Sequence, residues 1–239
     1  MVSKAHMIEF LGAFAIAFFG AYSRINNNEN MFAVGITYFL LLLAITQGFL
    51  YISGAHFNPI LTLSLVFLKH ISFVEAIKYV VAQILGSLTA GLALFLTVQK
   101  KEGARSTYYG FPMLNQSQKF VASGLDLVST FLLVYIVSLL LDNIKYRTIY
   151  GPAVASVYFI NILAFGSISG GCINFVEVLG PGLAGLYFSN WLFYFGAQVI
   201  GGVIAVSVYI AFIKFDPKEN ALEEEEAQIN AYYLKGKTD

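Results

Sequence analysis

Long apolar runs alternate with short polar breaks along this chain, and the lengths of the runs set the reading. Six runs, at about 7–23, 31–51, 74–98, 119–141, 150–168 and 188–213, approach or exceed the roughly 20 residues a helix needs to cross a bilayer. Two more apolar segments, 58–67 and 174–185, lie between spans and are too short to cross. The first follows the polar stretch from Ile52 to Phe57 and opens Asn58-Pro59-Ile60. Asn58 is a favoured helix N-cap and Pro59 a favoured first helical residue. A helix that begins and ends inside the membrane points its positive end at the midplane. Irregular backbone at that depth survives only when buried in protein or lining a wet cavity. The two short segments therefore predict a pore or a binding site.

Composition narrows the class. Apolar residues make up 58% of the 239 and charged residues 12%, about half the usual globular share. This is the signature of a multi-pass integral membrane protein. Net charge is zero, so nothing points to nucleic acid. The single Cys172 excludes an intramolecular disulfide, and no Cys/His group has metal-site spacing. No cofactor is implied, and no arrangement of Ser, His and acids suggests catalysis. The first apolar run is too long for a cleavable signal. The longest connection is the polar stretch 99–118.

The chain also repeats itself. Glu9-Phe-Leu-Gly-Ala-Phe14 is similar to Asp126-Leu-Val-Ser-Thr-Phe131, at an offset of 117. Gly54-Ala-His-Phe-Asn58 is similar to Gly170-Gly-Cys-Ile-Asn174, at an offset of 116. Ala82-Gln-Ile-Leu-Gly86 is similar to Ala197-Gln-Val-Ile-Gly201, at an offset of 115. Each repeat, about 7–98 and 119–213, holds three spans and one short segment. Three is odd, so the second repeat is inverted in the membrane. Inverted repeats with interrupted helices in matching places mark transport folds. The two short helices are expected to meet tip to tip.

These motifs resemble those of the aquaporin and glycerol-facilitator family, the major intrinsic proteins. Ser53-Gly-Ala-His-Phe-Asn-Pro59 is close to the family's first half-helix motif, and Gly180-Pro-Gly-Leu183 matches the end of its second. The resemblance covers about 7–213 and implies an all-α membrane protein with an aquaporin-like domain over residues 1–213, a bundle of six helices with two re-entrant half-helices. It also implies passive permeation of water or small neutral solutes. The family is usually homotetrameric, and its termini are cytoplasmic. On that orientation Arg24, Lys100, Lys101, Arg105 and Lys119 belong to the outer side. Whether the membrane is the plasma membrane or an organelle membrane is left open.

Departures from the family pattern raise a second reading. The motif Asn-Pro-Ala is Asn58-Pro59-Ile60 in the first copy and Asn174-Phe175-Val176 in the second. The family's filter arginine, three residues after the second asparagine, is Glu177. Counting along the family pattern puts the other filter positions at Tyr38, Ile162 and Gly171. Such a filter carries no fixed positive charge. Glu177 either faces the pore as a carboxylate, attracting cations, or closes a capping box from the third helical position, which the spacing favours. Phe175 either plugs the path or packs the tips together. The alternative function is a degenerate, non-conducting subunit of a larger membrane complex.

Remaining polar residues take supporting roles by resemblance. Asn58 and Asn174 cap the half-helices and offer amides to a passing oxygen. Glu9 and Asp126 are acids within spans and hold the backbone of the half-helix loops. Gln83 and Gln198 join helices, His56 is loop scaffold, and Cys172 is a small buried hydrophobe. Small residues four apart, at Ala82, Gly86 and Ala90 and at Ala197, Gly201 and Ala205, permit close helix crossings. The tail 214–239 reads as a further helix, with Asn220 as its cap and Glu223 at the third position.

Overall fold

The computed structural model describes residues 3–27, 30–98, 108–112, 116–142 and 144–214. The tail helix expected from Asn220 and Glu223 lies outside the described residues. Six membrane-length helices are present: α1 (Lys4–Asn26), α2 (Met31–Ser53), α4 (Phe73–Val98), α5 (Lys119–Asp142), α6 (Tyr150–Ser169) and α8 (Trp191–Tyr209). A single wide turn, Ile210–Lys214, extends α8. Two short helices, α3 (Pro59–Phe67) and α7 (Val176–Gly185), follow α2 and α6. Among the described residues there is no strand.

Pairing repeats between the halves. Helix α1 packs on α4, α5 packs on α8, and α2 meets α6 across the halves. Each short helix reaches into the opposite half: α7 lies against α1 and α4, and α3 against α5 and α8 as well as α4. Side chains exposed on the spans are large and apolar, among them Met7, Leu40, Leu96 and Phe212. That is the surface a bilayer requires, because lipid offers polar groups no partners.

Close approach of the helices rests on glycine. A Cβ on Gly86 of α4 would sit 2.2 Å from the Phe10 carbonyl oxygen of α1. Its counterpart on Gly201 of α8 would sit 2.5 Å from the Leu127 carbonyl oxygen of α5. Both contacts are with backbone, which cannot swing away. Small residues at these crossings thus set the interhelical distance.

Candidate functional site

The two loops that launch the half-helices share one geometry. Helix α2 ends at Gly54 (φ 85°) and α6 at Gly170 (φ 76°), both left-handed, a conformation glycine adopts without a Cβ penalty. The chain then doubles back and starts a helix. Asn58 Oδ1 accepts hydrogen bonds from the Ile60 N–H at 2.9 Å and the Leu61 N–H at 3.3 Å, so the side chain caps α3 ahead of Pro59. Asn174 Oδ1 accepts from Val176 N–H at 3.2 Å. Here α7 begins at Val176, two residues after the asparagine. Without a proline in the place of Phe175, nothing fixes the first helical φ at that point.

The half-helices meet by their amino ends. Asn58 Nδ2 donates to the Ile173 carbonyl at 3.0 Å, and Asn174 Nδ2 donates to the Phe57 carbonyl at 2.9 Å. Each asparagine therefore spends one N–H on the opposite loop.

Behind each loop stands an acid, and the two do different amounts of work. Glu9 accepts four hydrogen bonds: from Ser53 Oγ at 2.6 Å, His56 N at 3.0 Å, Phe57 N at 2.7 Å and Gln83 Nε2 at 2.7 Å. Asp126 accepts from Ser169 Oγ at 2.6 Å, and its other oxygen, Oδ2, has no partner among the described residues. Its reach is one methylene shorter. The expectation that Asp126 holds loop backbone is therefore corrected: Ser169 Oγ takes the Gly171 N–H at 3.1 Å and relays the contact. Gln83 also donates to Thr62 Oγ1 at 2.9 Å, Gln198 to the Cys172 carbonyl at 3.2 Å, and His56 Nδ1 faces Thr62 Oγ1 at 3.2 Å.

The filter positions are brought together, with one addition. Tyr38 O–H donates to Glu177 Oε2 at 2.6 Å. Gly171 (φ 62°) lies so close to Ile162 that a Cβ would stand 3.0 Å from the Ile162 Cα. The addition is Arg24. Its Nη2 lies 3.2 Å from Glu177 Oε2 and 3.4 Å from the Tyr38 hydroxyl, and its Nη1 donates to the Gly170 carbonyl at 2.6 Å. Arg24 is 7% exposed and Glu177 2%. Two buried polar atoms here, Arg24 Nε and Glu177 Oε1, have no partner among the described residues.

Three expectations change. Glu177 does not close a capping box, because its carboxylate is taken by Tyr38 and Arg24. A buried carboxylate gains more from a guanidinium than from a helix end. A fixed positive charge does stand at the expected filter positions, delivered from α1, because Arg24 is buried against Glu177 and Tyr38. Phe175 does not plug the path: its ring packs on α8, 5.1 Å from Phe195 and 6.2 Å from Trp191, both partly exposed.

Sequence reasoning missed Arg24. The signal for Arg24 was available: an arginine inside a span, with an unmatched acid on another membrane segment, calls for a pairing.

On the far side of the asparagines, a polar cavity of about 300 Å³ opens beside the first loop, with Ser53, His56, His70, Glu75, Tyr79 and Arg147 in its wall. A six-span bundle that holds two half-helices tip to tip, with polar side chains converging between them, defines a channel-type membrane protein.

Comparison with known proteins gives the family. The family model described as Major intrinsic protein matches residues 1–209. The chain is 30% identical over 222 residues to aquaporin NIP3-1 of Oryza sativa, covering 85% of this chain and 66% of that one. It is 31% identical over 220 residues to aquaporin TIP2-3 of Zea mays, covering 86% of each. The X-ray structure of the aquaglyceroporin from Plasmodium falciparum superposes with a TM-score of 0.72 at 19% identity, covering 87% of this chain and 95% of that one. The chain belongs to the major intrinsic protein family and is a multi-pass integral membrane protein.

Proposed function

We propose that the protein is a channel for water or small neutral solutes, with a filter in which Arg24 of α1 replaces the arginine that the family carries on α7. The observation that carries this reading is the Arg24–Glu177–Tyr38 cluster at the filter positions. Guanidinium and carboxylate cancel there, so the filter holds no excess charge of either sign. It offers an unpartnered donor, Arg24 Nε, and an unpartnered acceptor, Glu177 Oε1. That pair suits an uncharged, hydroxyl-bearing solute. A cation would meet the guanidinium and the positive ends of two half-helices. The α7 acid is neutralised where it stands, so it supports no cation path.

The conducting reading gains from Phe175, whose ring packs against Phe195 and Trp191 of α8. Matching surfaces of neighbouring copies in the bilayer would complete the family's usual tetramer, one passage in each subunit. The test is reconstitution in liposomes, with vesicle shrinkage followed after a sucrose step and re-swelling followed in glycerol. Shrinkage or re-swelling faster than in empty vesicles supports the channel. Rates equal to empty vesicles for both solutes would contradict it.

A further inference from the structure

We infer that the groove between the first turns of α1 and α4 binds one anionic phospholipid, with its phosphate at Lys78 and Lys4 and an acyl chain laid along the two helices. Both helices run the same way: His6 of α1 reaches Glu75 of α4 near their starts, and Phe10 meets Gly86 further in. Helices in contact at one crossing diverge on either side of it. Toward the helix starts this divergence leaves a groove of about 620 Å³. Met7 and Phe10 line one side of it, Ile77, Val81 and Leu85 the other, and the small Ala82 leaves room between them. Met7, Ile77, Val81 and Leu85 are exposed. On a chain that spans a bilayer, such a slot is a seat for hydrocarbon.

Charge complementarity names the rest of the occupant, because the charges gather at one end of the groove. Lys78 stands in its wall, in the second turn of α4, with a side chain 52% exposed. Helical side chains lean toward the amino end, so its ammonium rises toward headgroup level. Lys4, one turn before Met7 on α1, is exposed at the same end. The nearby acid is already engaged. Glu75 Oε2 accepts from Lys78 Nζ at 2.9 Å, and its Oε1 faces His6 Nε2 at 2.5 Å. His6 Nδ1 accepts from Ser3 N–H at 3.0 Å, so Nε2 carries the hydrogen given to Glu75 and the ring adds no charge. Two lysines against one glutamate leave a single net positive charge at the mouth of an apolar slot. A phosphodiester supplies the matching negative charge, and the chain attached to it fills the slot.

The experiment is native mass spectrometry of the full chain in a nonionic detergent. The protein is titrated with phosphatidylglycerol, with phosphatidylcholine of the same acyl chains, and with inorganic phosphate. Wild type is compared with the double variant Lys4→Gln, Lys78→Gln and with Ala82→Phe, which fills the groove. Both are first shown to be folded by monodisperse elution and unchanged helical circular dichroism. Should Ala82→Phe not fold, the lysine variant, altered only at exposed side chains, decides alone. In wild type the first phosphatidylglycerol is expected to bind on the order of fivefold tighter than phosphatidylcholine, and inorganic phosphate not at all. The lysine variant loses the preference, and Ala82→Phe loses the tight first binding of either lipid. Equal affinities for the two lipids in wild type overturn the inference, as does a preference that survives in either variant. Inorganic phosphate bound as tightly as the lipid also overturns it. So does an oligomer that takes up no lipid, which would put a second copy over the groove.

Discussion

Burying a guanidinium and a carboxylate together is stable only when both charges and their remaining hydrogen-bonding atoms find partners. Glu177 meets part of that demand through Arg24 and through the Tyr38 hydroxyl at 2.6 Å, both on Oε2, while Oε1 has no partner among the described residues. Tyr38→Phe removes the second partner while keeping the ring. The expected cost is about 1.5–3 kcal/mol, read as a lower thermal midpoint of the detergent-solubilised protein. An unchanged midpoint would mean that the hydroxyl contributes nothing to holding the acid. At this scale the sequence was only partly legible. Asn58 and Asn174 were readable because capping is local and the motif repeats. Glu177 was misread because local spacing offered a capping box, whereas its true partners stand 139 and 153 positions away. A pairing across that separation exists only once α1, α2 and α7 have been packed.

The helices were far more legible than their contacts, since span length and the repeat are written along the chain itself. What was not written is how unequal the repeats are. Helix α3 is capped twice by Asn58 and opened by a proline, whereas α7 is capped once by Asn174 and starts later. The acids behind them are unequal too. In Glu9→Gln, the new amide nitrogen turns a donor toward the Phe57 N–H or toward Ser53 and His56, whichever oxygen it replaces. At least one hydrogen bond from a backbone N–H is lost, at about 1–3 kcal/mol for each donor left unsatisfied. In Asp126→Asn, the remaining oxygen still accepts from Ser169, and the expected change is under about 1 kcal/mol. Thermal midpoints of the two variants in one detergent check this. Equal shifts would contradict the asymmetry. Crossings give a second comparison at this scale. Gly86→Ala forces a methyl to within 2.2 Å of a carbonyl and should cost about 1–3 kcal/mol. Gly124→Ala meets nothing within 4 Å and should be neutral or slightly stabilising, as alanine is the better helix former. A midpoint for Gly86→Ala no lower than that for Gly124→Ala would show the crossing to be looser than drawn.

Across the molecule, the two half-helices and the filter form one electrostatic unit. Two positive helix ends face the midplane, and the filter above them is an internally neutral pair. Proteoliposomes under a potassium gradient should therefore show no potassium flux above empty vesicles, followed with an entrapped potassium indicator. A flux would mean that Glu177 acts on its own. The family supplies the frame for this arrangement, but the position of the guanidinium belongs to this chain. All else in the functional reading depends on Arg24 and Glu177 being partners. A double-mutant cycle measures that directly, using thermal or denaturant unfolding of wild type, Arg24→Gln, Glu177→Gln and the double variant in one detergent. Each single change should cost about 3–5 kcal/mol by stranding a buried charge. The double variant should recover most of that loss, because neither charge remains. If the two costs simply add, Arg24 and Glu177 do not interact, and the filter proposed here does not exist.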